Sequence, residues 1–261
     1  MSLGWMSMES VSFYSLLLLE RVQLGWLPAF GLPEKELAWA LAAHPAVDWY
    51  LRHKCPELCS WLDGLPRPVG GGDAQALRAA ELAVLSRLED LLVYVLAPEI
   101  YDRQPFLNWD SIELTSMADF TGRVVMDVGA GTGRLTFAVA ERAQVVYAVE
   151  PVERLRLYIR QKAAERGLRN IYSLDGLITA LPFADGMAEI VMAGHVFGDE
   201  MEAELAELRR VTRPGGMILL CPGSSLTEVA PHRFLVEHGF SWAEFDEPGD
   251  GTKRKYWLRV E

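Results

Sequence analysis

Three glycines at alternate positions, Gly129, Gly131 and Gly133, follow the apolar run 124–128 and precede Arg134, where a helical pattern begins. Glycine has no Cβ and reaches positive φ freely, so such a turn lets the backbone pass close beneath a ligand at a helix N-terminus. A nucleotide-like ligand is implied. The spacing is G-x-G-x-G, whereas a dinucleotide fingerprint is G-x-G-x-x-G, and Arg134 stands where its third glycine or alanine belongs. An NAD-linked oxidoreductase would require that place to tolerate Arg134. Asp127, two residues before Gly129, adds a carboxylate that repels a pyrophosphate and attracts a cationic amino-acid group. Each residue also has a plainer reading: the turn as a tight connection, Asp127 as a cap, and Glu150 as a solvated strand end.

A second group lies in Gly194-His-Val-Phe-Gly-Asp-Glu200, just past the apolar run 190–193. Open α/β sheets present ligands at the C-terminal ends of their strands, and an imidazole with an ordinary pKa of about 6.5 accepts a proton near neutrality. His195 is therefore the candidate base; its alternative is packing or donation to a carbonyl. Asp199 and Glu200 are expected to cap the following helix. His53, Cys55 and Cys59 bring two thiols to C-x-x-x-C spacing, but no second thiol pair follows, so buried helical cysteines are expected and no metal site. The basic run Arg154, Arg156, Arg160, Lys162, Arg166, Arg169, with Lys253 to Lys255, is interleaved with Glu153 and Glu165 and reads as a solvated helix face.

The elements that must hold these residues are legible from periodicity. Short apolar runs at 124–128, 145–149, 190–193 and 217–221 alternate with helix-length stretches at 134–142, 153–166 and 201–211, a pattern of parallel strands with crossover helices. Trp242 to Phe245 and Lys255 to Val260 read as two further strands joined by the turn Glu247-Pro-Gly-Asp-Gly251. The first hundred residues carry helical signals instead: Glu9 to Leu24, a helix with Pro33 at its first position, another after Pro45, and a long one from Ala74 to Ala97 capped by Asp73. The stretch Arg67 to Asp73, with three consecutive glycines, reads as a flexible joint.

From about residue 118 to 261 the chain resembles the class I S-adenosylmethionine-dependent methyltransferases, within the broad group that includes ubiquinone/menaquinone-biosynthesis-type enzymes. Besides the glycine turn, Leu181-Pro-Phe-Ala-Asp-Gly-Met-Ala-Glu-Ile-Val191 looks like the family's approach to its fourth strand. Glu207-Leu-Arg-Arg-Val-Thr-Arg-Pro-Gly-Gly216 looks like the helix end before its fifth. The resemblance implies a Rossmann-like, seven-stranded, doubly wound α/β sheet with its last strand antiparallel, preceded by an N-terminal helical lobe. It implies that Asp127, Gly129, Ala130, Gly131, Thr132 and Gly133 pass beneath the methionine part of S-adenosylmethionine, and that Glu150 accepts hydrogen bonds from both ribose hydroxyls. Where many relatives carry an aspartate for the adenine amino group this chain has Leu177, so main-chain groups of Gly176, Leu177 and Ile178 are expected there; Gly194 flanks the cofactor.

Methyl transfer from a sulfonium is an in-line displacement that leaves S-adenosylhomocysteine, and positioning the acceptor can supply roughly 7 to 11 kcal/mol of the barrier. The expected acceptor is a small molecule, met by Tyr101, Arg103, Phe106 and Trp109, which could equally stitch the lobe to the sheet. The expected division is 1–100, a helical cover, and 101–261, the cofactor domain. A cofactor-binding module without catalysis is the alternative.

Composition agrees with a packed protein. The chain has 261 residues, half of them hydrophobic, and 36 acidic against 25 basic residues for a net charge of −11. That field disfavours nucleic acid. The apolar runs at 16–19 and 91–97 fall far short of the roughly 20 residues a spanning helix needs. Three cysteines and the lack of a recognisable secretion signal suggest a cytoplasmic location.

Overall fold

The computed structural model describes residues 4–67 and 73–261. The expected glycine joint lies, through residues 68–72, outside them. The chain divides into two compact units, Met1–Tyr101 and Asp102–Glu261.

The described part of the first unit is helical: α1 (Arg21–Trp26), α2 (Glu34–Ala43), α3 (Pro45–Lys54), α4 (Cys59–Asp63), α5 (Ala74–Leu85), α6 (Glu89–Leu96) and α7 (Pro98–Tyr101). The helix expected over Glu9 to Leu24 is instead a 3-10 turn, Phe13–Leu18, followed by α1. Leu19 and Glu20 are extended, and Glu20 and Gln23 form a reciprocal capping box that starts α1 afresh. Pro33 caps α2 rather than opening it, while Pro45 does occupy the first position of α3. Asp73 caps α5 by accepting the Ala76 N–H at 2.8 Å. The long helix expected over 74–97 is broken at 86–88. Its second half restarts at Glu89, whose buried carboxylate accepts the N–H groups of Gly4 and Met6 at 3.1 and 2.8 Å.

The second unit is built on one sheet: β1 (Val124–Val128), β2 (Val145–Val149), β3 (Ile171–Leu174), β4 (Ala188–Ala193), β5 (Thr212–Leu220), β6 (Ser241–Glu247) and β7 (Gly251–Arg259). Its helices are α8 (Ile112–Thr115), α9 (Arg134–Val139), α10 (Glu153–Glu165), α11 (Met201–Val211) and α12 (Val229–Glu237). The strand order is β3-β2-β1-β4-β5-β7-β6. The first five are parallel to their neighbours, and β7 inserts antiparallel between β5 and β6. This is the Rossmann-like doubly wound sheet, with its last strand antiparallel.

Side-chain alternation along the strands sorts the core onto two faces. Met126, Val128, Val149, Val191 and Ile218 pack with Leu205 and Leu208 of α11 and Leu235 of α12. Val125, Val146, Ile190, Met192 and Leu219 pack with Leu135 and Val139 of α9. On the same side, Ala148 meets Ile159 of α10. Helices therefore cover both faces, and the five parallel strands end together at 128–129, 149–150, 174–175, 193–194 and 220–221. Two elements had no clear signal in the sequence. Strand β3 is an edge strand whose Tyr172 is exposed, so it lacks a continuous apolar run; α12 buries only Leu235 fully.

Candidate functional site

The end of β1 carries the glycine turn, and all three glycines have the left-handed φ that the turn demands, +68°, +55° and +88° for Gly129, Gly131 and Gly133. A Cβ on Gly129 would lie 2.4 Å from Val196 Cγ1, so the turn and the segment after β4 are in direct contact. The turn is tied to the end of β2, because the N–H groups of Gly129 and Ala130 both donate to the Val149 carbonyl, at 2.9 and 3.0 Å. Gly133 starts α9 with no side-chain cap of its own.

Asp127 supplies that cap from the strand. Its Oδ2 accepts the Thr136 N–H at 2.8 Å and the Thr136 hydroxyl at 2.6 Å, satisfying a first-turn donor of α9. The carboxyl is 1 % exposed, and burial raises its pKa from 3.8 to about 7 against the lowering effect of the two Thr136 bonds. The plainer reading of Asp127 as a cap thus has a geometric basis.

Glu150 follows β2 and is also buried. Its Oε2 accepts the Gly131 N–H and its Oε1 the Val152 N–H, each at 2.9 Å. Burial raises its pKa, with the two N–H donors acting in the opposite sense. A carboxylate oxygen offers two lone pairs, so one acceptor site remains on each oxygen. Glu150 is therefore not a solvated strand end: it connects the tip of the glycine turn to the start of α10.

Beyond β3, Gly176 packs closely, since a Cβ there would approach Val149 Cγ1 to 2.7 Å and Pro182 Cδ to 2.8 Å. Leu177 is 42 % exposed and accepts the Ala180 N–H through its carbonyl, while Ile178 packs on the core. Asp175 pairs with Arg156 at 3.2 Å.

After β4, Gly194 lies against the Cys221 carbonyl and Leu135. His195 has φ +59°, the only positive φ outside glycine among the described residues, and its N–H donates to the Pro222 carbonyl at 3.0 Å. That backbone region costs a non-glycine residue on the order of 1 kcal/mol. The side chain is about one-third exposed, and its Nε2 is 2.8 Å from Oε1 of Glu247, which is buried at the end of β6. Phe106 meets the ring edge-on at 6.3 Å between centroids. The expected caps of α11, Asp199 and Glu200, make no side-chain cap bond. Instead buried Glu204 reaches back to accept the N–H groups of Gly198, Asp199 and Glu200.

The expected acceptor residues stand in different surroundings. Phe106 stands at His195. Trp109 is buried beside Phe245, with the Arg134 guanidinium 4.4 Å above its ring. Arg134 also donates to the carbonyls of Leu107, at 2.6 Å, and Trp109. The side chain that replaces a fingerprint glycine is thus a clamp on the segment before β1. Arg103 is exposed, and Tyr101 ends the first unit, edge-on to Tyr94 at 4.8 Å.

The basic run along and just after α10 is largely exposed, as expected, at Arg154, Arg160, Arg166 and Arg169, yet several of its cations also hold neighbouring groups. Arg156 donates to the carbonyls of Glu150 and Pro151, Arg160 holds Ser173, and Lys162 joins Asp102 to the Thr132 carbonyl. Lys162 is buried enough to lower its pKa. Cys55 is buried, with its thiol toward Glu57, and Cys59 faces the Arg52 carbonyl; His53 Nδ1 meets the Trp49 carbonyl. Two residues escaped the sequence reading. Thr136 carries a signal, a hydroxyl at the third position of a helix that starts from glycine. Glu247 carries none, lying in a segment that reads only as a turn.

Residues 125–216 match a family described as a methyltransferase domain. An uncharacterized methyltransferase of Geobacillus kaustophilus is 29 % identical over 170 residues, covering 62 % of this chain and 76 % of the relative. A demethylmenaquinone methyltransferase of Lactococcus lactis is 29 % identical over 116 residues, 42 % of this chain and 46 % of its own length. A crystal structure described as a putative S-adenosyl-L-methionine-dependent methyltransferase from Methanococcus maripaludis covers 62 % of this chain and 90 % of its own, at a TM-score of 0.50 and 16 % identity. That similarity concerns the fold.

Proposed function

We propose, for a chain whose residues 125–216 match a methyltransferase-domain family, that it binds S-adenosylmethionine and transfers its methyl group to a small-molecule acceptor. The observation that carries this reading is the joint between Gly131 and Glu150, in which a turn of three left-handed glycines is held by a buried carboxylate that keeps one acceptor site per oxygen. The donor set fits the cofactor. Glu150 takes the ribose diol, the turn from Gly129 to Gly133 runs under the methionine moiety, Asp127 draws its ammonium group, and main chain at Gly176, Leu177 and Ile178 serves the adenine edge. Gly194 keeps the end of β4 free of side-chain bulk.

When bound, the sulfonium supplies an electrophilic methyl carbon. The protein's own contribution is to fix the acceptor in line with it and to keep water away, tasks that fall to Phe106 and to the segment Arg134 clamps. Arg103 provides a cation for an acidic acceptor. The helical unit is assigned to acceptor selection. His195 is the base where the nucleophile must lose a proton.

The test is calorimetry. S-adenosylmethionine and S-adenosylhomocysteine should each release measurable heat with a 1:1 stoichiometry, and Glu150→Ala should weaken both by at least about tenfold, the loss of charge-assisted hydrogen bonds of about 1.5 to 3 kcal/mol. Absence of heat from both compounds at millimolar concentration overturns the reading.

A further inference from the structure

Glu247 is nearly inaccessible, and its two oxygens are treated differently. Oε1 is 2.8 Å from His195 Nε2, whereas Oε2 has no hydrogen-bond partner among the described residues and lies 3.6 Å from Lys253 Nζ. Lys253 is itself bonded to Asp250 at 2.8 Å. A buried carboxylate with one unsatisfied oxygen is costly unless a nearby group carries positive charge, and an imidazole that can take up a proton is such a group. Lys253 supplies such a charge on the Oε2 side, shared with Asp250, while His195 is the group that meets Oε1. Phe106 is apolar, and the Cys221 thiol at the end of β5 is buried and pushed up to about 12, so it stays neutral. The Pro222 carbonyl, which accepts the His195 N–H at 3.0 Å, fixes the backbone here, one residue before the valine that touches the glycine turn.

We infer that Glu247 is a positioning residue that fixes His195 with its proton on Nε2, leaving Nδ1 to deprotonate a hydroxyl acceptor; this rests on the methyl-transfer reading above. In the step, the hydroxyl proton passes to Nδ1 and an oxygen lone pair forms the new bond to the methyl carbon. The carbon–sulfur bonding pair stays with sulfur, which becomes a neutral thioether. The imidazolium so formed is stabilised by Glu247, with Lys253 and Asp250 as the other charges on the same hairpin. A phenolic hydroxyl, whose ordinary pKa is about 10, is ionised only slightly at neutral pH and gains from such a base, whereas a thiol, near 8.5, ionises without one.

The test uses the full chain. In imidazole nitrogen correlation spectra near neutral pH, with His195 assigned by comparison with His195→Gln, Nε2 should be protonated and Nδ1 bare. With S-adenosylmethionine labelled with ¹³C in its methyl group and a small-molecule extract, the label should appear on oxygen. Glu247→Gln should slow that transfer at least tenfold while leaving calorimetric affinity for S-adenosylmethionine within twofold. A proton on Nδ1, label on an atom other than oxygen, or cofactor binding with no labelled product overturns the inference. Failure of S-adenosylmethionine to bind at all overturns the methyl-transfer reading instead, and the tautomer then decides the role of Glu247 alone. If Glu247→Gln does not fold, the wild-type tautomer and the labelled atom still support or overturn the inference.

Discussion

At the scale of single residues, the site contains a carboxyl whose two duties conflict. Asp127 anchors Thr136 while buried, and its folded pKa of about 7 lies above the unfolded value of 3.8. The folded state therefore binds the extra proton, and the stabilisation that accompanies it is complete below about pH 3.8 and lost as pH rises to about 7. About three pH units correspond to something on the order of 4 kcal/mol for a group buried to this degree. Asp127→Asn keeps an acceptor for Thr136 without a charge. It should raise the melting temperature at pH 8, change it little at pH 4, and weaken S-adenosylmethionine by about tenfold or more if the ammonium group of the cofactor needs the negative charge. Melts at the two pH values and calorimetry check these outcomes. A ligand that draws the ionised form should also release protons on binding near pH 7, detectable as buffer-dependent heats.

At the scale of elements, the boundaries that the sequence made plain are those dictated by contiguous burial. Strands β1 and β2 and helix α11 begin and end at the residues expected, because both faces of those strands are covered and Pro214-Gly215-Gly216 follows the helix. What periodicity misses is a bend that keeps the apolar spacing intact. The break between α5 and α6 leaves Leu85, Leu88 and Leu92 all buried, and the interruption after Leu18 depends on a local capping box. The turn and its acid were legible because glycines with obligatory φ and a following carboxylate are local in sequence. Glu247 was not, since it meets His195 across 52 residues through strand pairing alone. Arg134 is an intermediate case: its departure from the fingerprint was visible, but not the carbonyls it would hold. Arg134→Lys retains charge but loses the planar fork that reaches two carbonyls. Hydrogen exchange at residues 105–109 should accelerate at least about tenfold, corresponding to about 1.4 kcal/mol or more of lost protection, while β1 and β2 stay protected.

At the scale of the molecule, the charge balance disfavours one class of partner. The net charge is −11, and on α10 Arg156, Arg160 and Lys162 are engaged by Glu150, Ser173 and Asp102, while Arg154 stays exposed. Single-stranded RNA should therefore not be retained in filter binding even at low ionic strength, where phosphate contacts are strongest. Retention that disappears in Arg160→Ala would show that the helix face is open in solution. Among the described residues no helix is long and apolar enough to cross a membrane.

The matched family segment stops at residue 216, whereas the antiparallel ribbon formed by β6 and β7 runs from 241 to 259. On the reading proposed above, the histidine that takes the proton lies inside the matched segment and the carboxylate that orients it lies outside, on the ribbon. A table of motifs confined to the first stretch would therefore record the one without its partner.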